Sequence, residues 1–175
     1  MQPVRRLRRT AAGAMMSRMT LHDGLHQPPG PPDMQLGSLA IWVRGREFSD
    51  SQDYRDANWL SVLMQVDAAY AVVQAEGPIL HAGELSDLVE GCKRLYRDMK
   101  GELAFDAIEP NFRLKLAIDA RGQLGVSLDL SADPVVQSHH FEFALDQSYL
   151  PAFIAGGENV LFRFPIRGSR NGAGG

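Results

Sequence analysis

The sequence predicts an α+β domain: a curved antiparallel sheet of about six strands, with two helices packed on one face. Six segments alternate apolar and polar residues with the period of two that a half-buried strand requires. Two longer segments have the spacing of amphipathic helices. The connections within each group of strands are short, which favours antiparallel neighbours. The predicted order is therefore β-β-β-α-β-β-β-α.

Three strands precede the first predicted helix. Leu39, Ile41 and Val43 mark the apolar face of the first strand, and alternate residues from Leu60 to Val66 mark that of the second. The third strand is YAVVQ at residues 70–74. Gly77-Pro78 is expected to end this segment, because proline cannot donate a hydrogen bond to a sheet ladder.

The first helix is predicted between Gly83 and Lys100. Its apolar residues recur at helical spacing and form one face: Leu85, Leu88, Val89, Cys92, Leu95, Tyr96 and Met99. Gly91 lies in the middle of this helix, where glycine costs about 1 kcal/mol relative to alanine, and this predicts close packing at that position.

Three more strands and a helix complete the predicted fold. The strands cover residues 112–118, 124–130 and 141–145, each with one apolar face. The second helix follows Asp146 and buries Leu150, Phe153, Ile154, Leu161 and Phe164. Gly156-Gly157 predicts a kink or an early end within it.

The predicted organisation is one folded domain at residues 34–166. Residues 1–33 are expected to be a disordered extension, with an Arg-rich start and the linker QPPGPPD, and residues 167–175 a disordered tail. Two alternatives for the extension are a targeting peptide and a start set upstream of the true one at Met34. The five arginines and two aspartates of residues 1–33 give this segment a net charge of +3. The 13 basic and 19 acidic residues of the rest of the chain give a net charge of −6.

This balance of charge and composition excludes some classes of function. An acidic body disfavours direct binding of nucleic acid, which requires neutralisation of phosphates, and it suits a basic protein partner. The chain has no apolar run near the roughly 20 residues that span a membrane. Its one cysteine, Cys92, fits a reducing compartment.

The densest polar segment is SDSQDYRDANWL at residues 49–60. Counted from Asp50 as a calcium loop, it has Arg55 where glycine is required and Ser61 where glutamate is required, so that interpretation fails. Asp53 and Asp56 are three residues apart, so their carboxylates could act as a general acid and a general base. Carboxylates in a loop before a strand more often cap turns through the backbone.

Other residues give no catalytic signature. Cys92 lies on the apolar helix face, as expected for a buried structural thiol. Ser148 lacks the flanking glycines of a nucleophile elbow. His139 and His140 are neighbours on a strand and point to opposite faces, and no phosphate-binding glycine motif occurs. We predict no metal and no cofactor.

Four segments, taken in order, resemble the WapI-like family of bacterial immunity proteins: LGSLAIWVRGREF, DYRDANWLSVLMQV, FDAIEPNFRLKLAID and FEFALDQSYLPAFI. The resemblance covers residues 36–165. The family is named for an immunity protein that neutralises the toxic tip of a contact-dependent toxin, a nuclease that cleaves tRNA. It implies a cytoplasmic, non-enzymatic protein that binds a basic toxin domain, with a nuclease as one such domain.

The expected contact residues are acids in loops at element ends: Asp50, Asp53, Asp56 and Glu109. We expect a monomer or a weak homodimer. One alternative is a small ligand-binding domain or hydrolase that uses Asp53, Asp56 and Glu109 in a cleft. Another is a structural subunit that pairs through an open sheet edge.

Overall fold

The structure, a computed structural model, describes residues 26–168. The strands in this range are β1 (Met34–Leu36), β2 (Leu39–Arg46), β3 (Trp59–Ala68), β4 (Ala71–His81), β5 (Gly101–Asp106), β6 (Phe112–Ile118), β7 (Gln123–Leu130) and β8 (His140–Asp146). The helices are α1 (Tyr54–Ala57), α2 (Ala82–Asp98) and α3 (Tyr149–Arg163). The predicted α+β class is confirmed.

The prediction of a single six-stranded sheet is wrong. The strands form two antiparallel sheets of four: the N-terminal sheet, ordered β1-β2-β3-β4, and the C-terminal sheet, ordered β5-β6-β7-β8. The prediction missed β1, β5 and the single-turn helix α1. The 17-residue helix α2 separates the two sheets along the chain, and β4 and β5 are not paired.

Both sheets and both long helices enclose one core. In β6 the inward residues Phe112, Leu114 and Leu116 are fully or almost fully buried, while Arg113 and Lys115 point outward and are exposed. Residues of β2, β3, α2 and α3 join the same continuous cluster. The strict alternation along β6, β7 and β8 therefore leaves the C-terminal sheet with one core face and one outer face.

The N-terminal sheet is instead covered on both faces. Five successive residues of β2 are buried, and Trp42 packs with Ala40 and Leu63 on the face away from the main core. The Trp42 indole N–H donates to the carbonyl of Gly30 at 2.8 Å. Residues 26–33 have no helix or strand, yet hydrogen bonds join them to this sheet.

The predicted disordered ends fall largely outside the described residues, which exclude 1–25 and 169–175. Within the described part, Asp33 accepts a hydrogen bond from the Val43 backbone at 2.7 Å and pairs with Arg163 at 2.6 Å. Arg167 exchanges backbone hydrogen bonds with the Asn58 side chain.

Close packing explains the glycines of both long helices. A Cβ on Gly91 would lie 2.6 Å from Leu103 of β5, so the predicted close approach is confirmed. The predicted early end at Gly156-Gly157 is wrong, because α3 continues from Tyr149 to Arg163. A Cβ on Gly156 would overlap the carbonyl of Asp33, and one on Gly157 would overlap Val89 of α2. None of the helices in residues 26–168 is long and apolar enough to cross a membrane.

Candidate partner-binding site

The segment SDSQDYRDANWL forms a loop, the single turn of α1 and the start of β3. Asp53 is the N-cap of α1, and its carboxylate accepts hydrogen bonds from the backbone N–H of Arg55 at 2.8 Å and of Asp56 at 3.4 Å. This is the usual use of aspartate at a helix start. Asp53 therefore orders the turn that launches β3.

Asn58 fixes the other end of this turn. It is fully buried, and its side-chain amide donates to the carbonyls of Tyr54 at 2.7 Å and Arg167 at 2.8 Å. Its oxygen accepts from the backbone N–H of Arg167 at 2.9 Å. These three bonds satisfy most of what a buried amide can make and hold the segment after α3 against α1.

A crevice of about 330 Å³ opens beside α1. Its walls are Tyr54, Arg55, Trp59, His81, Glu84 and Ile108. The ring of His81 lies 5.3 Å from that of Tyr54 and 5.5 Å, edge on, from that of Trp59. The crevice is thus aromatic on one side, and Ile108 of the β5–β6 connection forms part of its mouth.

His81 and Glu84 cap α2 at the base of this crevice. The Nδ1 atom of His81 accepts from the backbone N–H of Gly83 at 3.2 Å, and the Glu84 carboxylate accepts from the backbone N–H of His81 at 3.1 Å. This reciprocal arrangement is a capping box, with histidine in the place usually taken by serine or threonine. The hydrogen bond at Nδ1 indicates a neutral ring with the proton on Nε2, which faces the carbonyl of Tyr54 at 3.4 Å.

Glu84 also joins the two halves of the molecule. Its second oxygen accepts from the backbone N–H of Ile108 at 2.6 Å, so one buried carboxylate links α2 to the β5–β6 connection. A general base must reach a substrate proton with a lone pair. The lone pair of His81 and both oxygens of Glu84 face backbone N–H groups, which gives these side chains a structural use.

The structure places the four predicted acids in two regions, the loop and turn around α1 and the β5–β6 connection. Asp50 and Asp53 lie in the exposed loop before α1, Asp56 lies on α1, and Glu109 is half-buried in the β5–β6 connection. Ile108, next to Glu109, shares the crevice with Tyr54 and Arg55, so the two regions meet across it. None of the four acids lines the crevice.

Two of these four carboxylates accept hydrogen bonds from neighbouring residues. Asp53 is a helix cap, and Asp50 accepts from the Ser49 hydroxyl at 3.1 Å. Asp56 and Glu109 have no ion pair within residues 26–168. No group of three or more metal-ligating side chains occurs in the described part of the chain.

Cys92 lies in the core. Burial raises the pKa of its thiol to about 12, so the nucleophilic thiolate is scarce at neutral pH. The prediction of a buried structural thiol is confirmed.

Sequence reasoning missed the crevice and the joint at Glu84. The pattern His81-x-x-Glu84 is a capping-box spacing at the start of a helix, which is a usable signal. The contact between Glu84 and Ile108 joins residues 24 positions apart, and no local pattern reports it.

The fold and this site together define a class of small α+β proteins whose buried polar side chains maintain the fold. The chain belongs to the immunity protein WapI-like family, whose model matches residues 33–165, from the start of β1 to just beyond α3. Searches of curated proteins and of solved structures returned no match.

Proposed function

We propose that this chain is an immunity protein that neutralises a bacterial toxin domain by binding it, without catalysis. The observation that carries the proposal is the family match over the whole folded body. The use of His81 and Glu84 as helix caps supports a non-enzymatic role, because the backbone hydrogen bonds of both side chains account for their place in the fold. The proposed location is the cytoplasm, where a toxin that has entered the cell would act.

The proposed partner is a basic toxin domain, such as a nuclease. Residues 34–175 have 19 acidic and 13 basic side chains, and this excess of negative charge favours encounter with a basic surface. Asp50, Asp56 and Glu109 would contact the toxin around the mouth of the crevice. Asp53 would act at the same surface while it caps α1.

Co-expression tests the proposal. The toxin for this test is a candidate domain taken from a toxin-like reading frame found beside the gene in its genome, and cells that express it are expected to grow only when the full 175-residue chain is present. A 1:1 complex should be recovered from these cells. Failure to restore growth, together with failure to form a complex, would end the proposal.

A pair of matched variants locates the contact. The triple change Asp50→Asn, Asp56→Asn and Glu109→Gln removes three charges beside the crevice, and it is expected to slow association by roughly tenfold. The control change Glu90→Gln, Asp98→Asn and Glu158→Gln removes the same charge from α2 and α3. Equal effects of the two triple variants would show that only total charge matters and would remove the loop acids from the interface.

A small-ligand role is the second candidate, and the crevice is the observation that favours it. Its volume of about 330 Å³ is at the lower end for ligand sites, and aromatic walls are common in such sites. The hydrolase version loses support because Asp53 is a helix cap. NMR spectra recorded with aromatic and cationic amine fragments test it: a saturable shift of the Trp59 indole signal would support ligand binding, and unchanged spectra would contradict it.

The proposed assembly is a monomer or a weak homodimer. The outer strands of the two sheets are β1, β4, β5 and β8, and a structural subunit would pair through one of them. Light scattering at tens of micromolar tests this. A stable dimer or larger oligomer would favour the structural alternative.

A further inference from the structure

The outer face of the C-terminal sheet is uncovered in the part of the chain that the structure describes. The inward side chains of β5, β6, β7 and β8 enter the core shared with α2 and α3, and the outward ones face solvent. The strand register aligns outward residues in three rows that cross the whole sheet, Glu102-Ala117-Gly125-Ala144, Ala104-Lys115-Ser127-Glu142 and Asp106-Arg113-Asp129-His140, and in a shorter row, Gln123-Asp146. A groove of about 760 Å³ crosses all four strands over the first two rows.

The groove exists because the side chains along its floor are small. Five outward positions in these two rows hold alanine, glycine or serine: Ala104, Ala117, Gly125, Ser127 and Ala144. Alanine and glycine are depleted in strands, whereas β-branched and long polar residues are usual on a solvated sheet face. The stability of the sheet alone therefore does not account for this composition.

Gly125 shows this most clearly. Its φ lies outside the left-handed region, so the backbone conformation does not require glycine. An added Cβ would meet only the carbonyl oxygen of Ala117, at an ordinary 3.7 Å. Glycine inside a strand often marks close approach by a ligand or another backbone. No atom of the described chain makes such an approach, in contrast to Gly91, Gly156 and Gly157.

The charges on this face favour a basic occupant. Five carboxylates, from Glu102, Asp106, Asp129, Glu142 and Asp146, share the face with three groups that can carry positive charge, Arg113, Lys115 and His140. Asp106 pairs with Arg113, and Asp129 pairs with His140. Glu102 and Glu142 lie on the two edge strands and flank the groove on opposite sides. Within residues 26–168, Glu102 has no ion pair, and Glu142 has only a 3.4 Å contact with His140.

The size of the face indicates how far a partner must extend. Four strands about 4.8 Å apart and about seven residues long present roughly 400 Å². A stable protein interface buries about 800 Å² on each partner, so this face would supply about half. The β5–β6 connection begins after Asp106, at the end of the third row, and carries Ile108 to the crevice. A partner that extends from the sheet face along this connection would contact both surfaces.

We infer that the outer face of the C-terminal sheet is a docking surface for a convex, basic segment of the toxin domain, with Gly125 at the point of closest approach. This inference rests on the proposed function and names the surface that performs it. The small side chains admit the segment, and Glu102 and Glu142 hold its basic residues from either side.

The substitution Gly125→Val in the full chain tests the inference. A Cβ atom has room at this exposed position and valine is a better strand former, so the melting temperature of the free protein is expected to stay the same or rise. Binding to the toxin domain identified by the co-expression test is expected to weaken at least about tenfold by isothermal titration. Ala71→Val is the control, because Ala71 is an exposed strand residue of the other sheet.

The possible results distinguish a toxin segment from other molecules or segments that could cover the outer sheet face. Wild-type affinity within twofold for Gly125→Val would overturn the inference and leave the proposed function intact. No binding by the wild-type chain would overturn both. A dimer seen by light scattering that Gly125→Val breaks would assign the face to a second copy of the chain. A lowered melting temperature of free Gly125→Val would show that the added side chain meets atoms of the chain itself, and either result would also overturn the inference.

Discussion

His140 is the residue with the most distinctive titration on the outer sheet face. Its Nδ1 lies 2.7 Å from the Asp129 carboxylate on β7, and its Nε2 lies 3.4 Å from Glu142 on β8. The hydrogen bond to Asp129, followed by that to Glu142, raises the pKa of His140 above its usual value of about 6.5. The protonated ring is thus favoured in the folded protein.

The raised pKa of His140 determines how its contribution to the stability of the folded protein changes with pH. The stabilising contribution of His140 is complete below the pKa of the unfolded chain and is lost as pH rises through the folded pKa. An NMR titration should show His140 titrating above a peptide reference, and Asp129→Asn should lower its pKa. A His140 pKa at or below the reference would contradict the pairing.

Glu84 is the residue whose removal should cost the fold most among the charged side chains discussed. Glu84→Ala leaves the backbone N–H groups of His81 and Ile108 without their carboxylate partner. Hydrogen bonds to charged groups contribute about 1.5–3 kcal/mol each, so we expect a loss of at least about 2 kcal/mol in the free energy of unfolding. Glu90→Ala, at an exposed site, should change it much less.

Urea denaturation measures both Glu84→Ala and Glu90→Ala. A similar small effect of the two substitutions would mean that the carboxylate of Glu84 does not join α2 to the β5–β6 connection.

At the residue scale the sequence predicts local chemistry and misses distant partners. The turn-capping use of loop aspartates was one of the two interpretations of Asp53, and it is the one seen. The crevice could not be predicted, because its walls come from α1, β3, β4, α2 and the β5–β6 connection. Their meeting depends on tertiary packing, which local periodicity does not report.

At the scale of elements, two glycines set the position of α3. Gly156 faces the carbonyl of Asp33, and Gly157 faces Val89 of α2, so α3 lies directly against β1 and α2. A helix propensity scale favours alanine over glycine by about 1 kcal/mol. Close packing overrides that preference here.

The substitution Gly156→Ala is therefore expected to destabilise the protein. The added methyl group would overlap a backbone carbonyl, and forced overpacking typically costs about 1–3 kcal/mol. Ala155→Gly, at the exposed neighbouring position, should cost about 1 kcal/mol through helix propensity alone. Chemical denaturation of both variants checks this. Stabilisation by Gly156→Ala would show that α3 does not approach β1 this closely.

Strand periodicity predicted most elements and did not predict their partners. Alternation located β2, β3, β6, β7 and β8, because each buries one or both faces. The third predicted strand was expected to end at Gly77-Pro78, whereas β4 continues to His81. β4 is an edge strand with an irregular register opposite Leu60 and Ser61, and proline is tolerated in that position. A period of two identifies a strand but not its neighbours, which is why the division into two sheets was missed.

At the scale of the whole molecule, the proposed contact with a toxin domain uses two acidic surfaces of one folded body. The crevice with its loop acids and the outer face of the C-terminal sheet adjoin through the β5–β6 connection. Both surfaces stand on a fold whose buried histidine and glutamate serve as caps. Inhibition of the toxin should therefore be stoichiometric, with one chain needed for each toxin domain.

A titration of toxin activity with the purified full chain tests this claim most directly. At toxin concentrations well above the dissociation constant, activity should fall linearly and reach zero at one chain per toxin domain. Recovery of the toxin domain at unchanged mass would confirm that binding alone causes the inhibition. Loss of activity at far fewer than one chain per toxin domain would indicate catalysis, and undiminished activity at a molar excess would contradict the proposed immunity function.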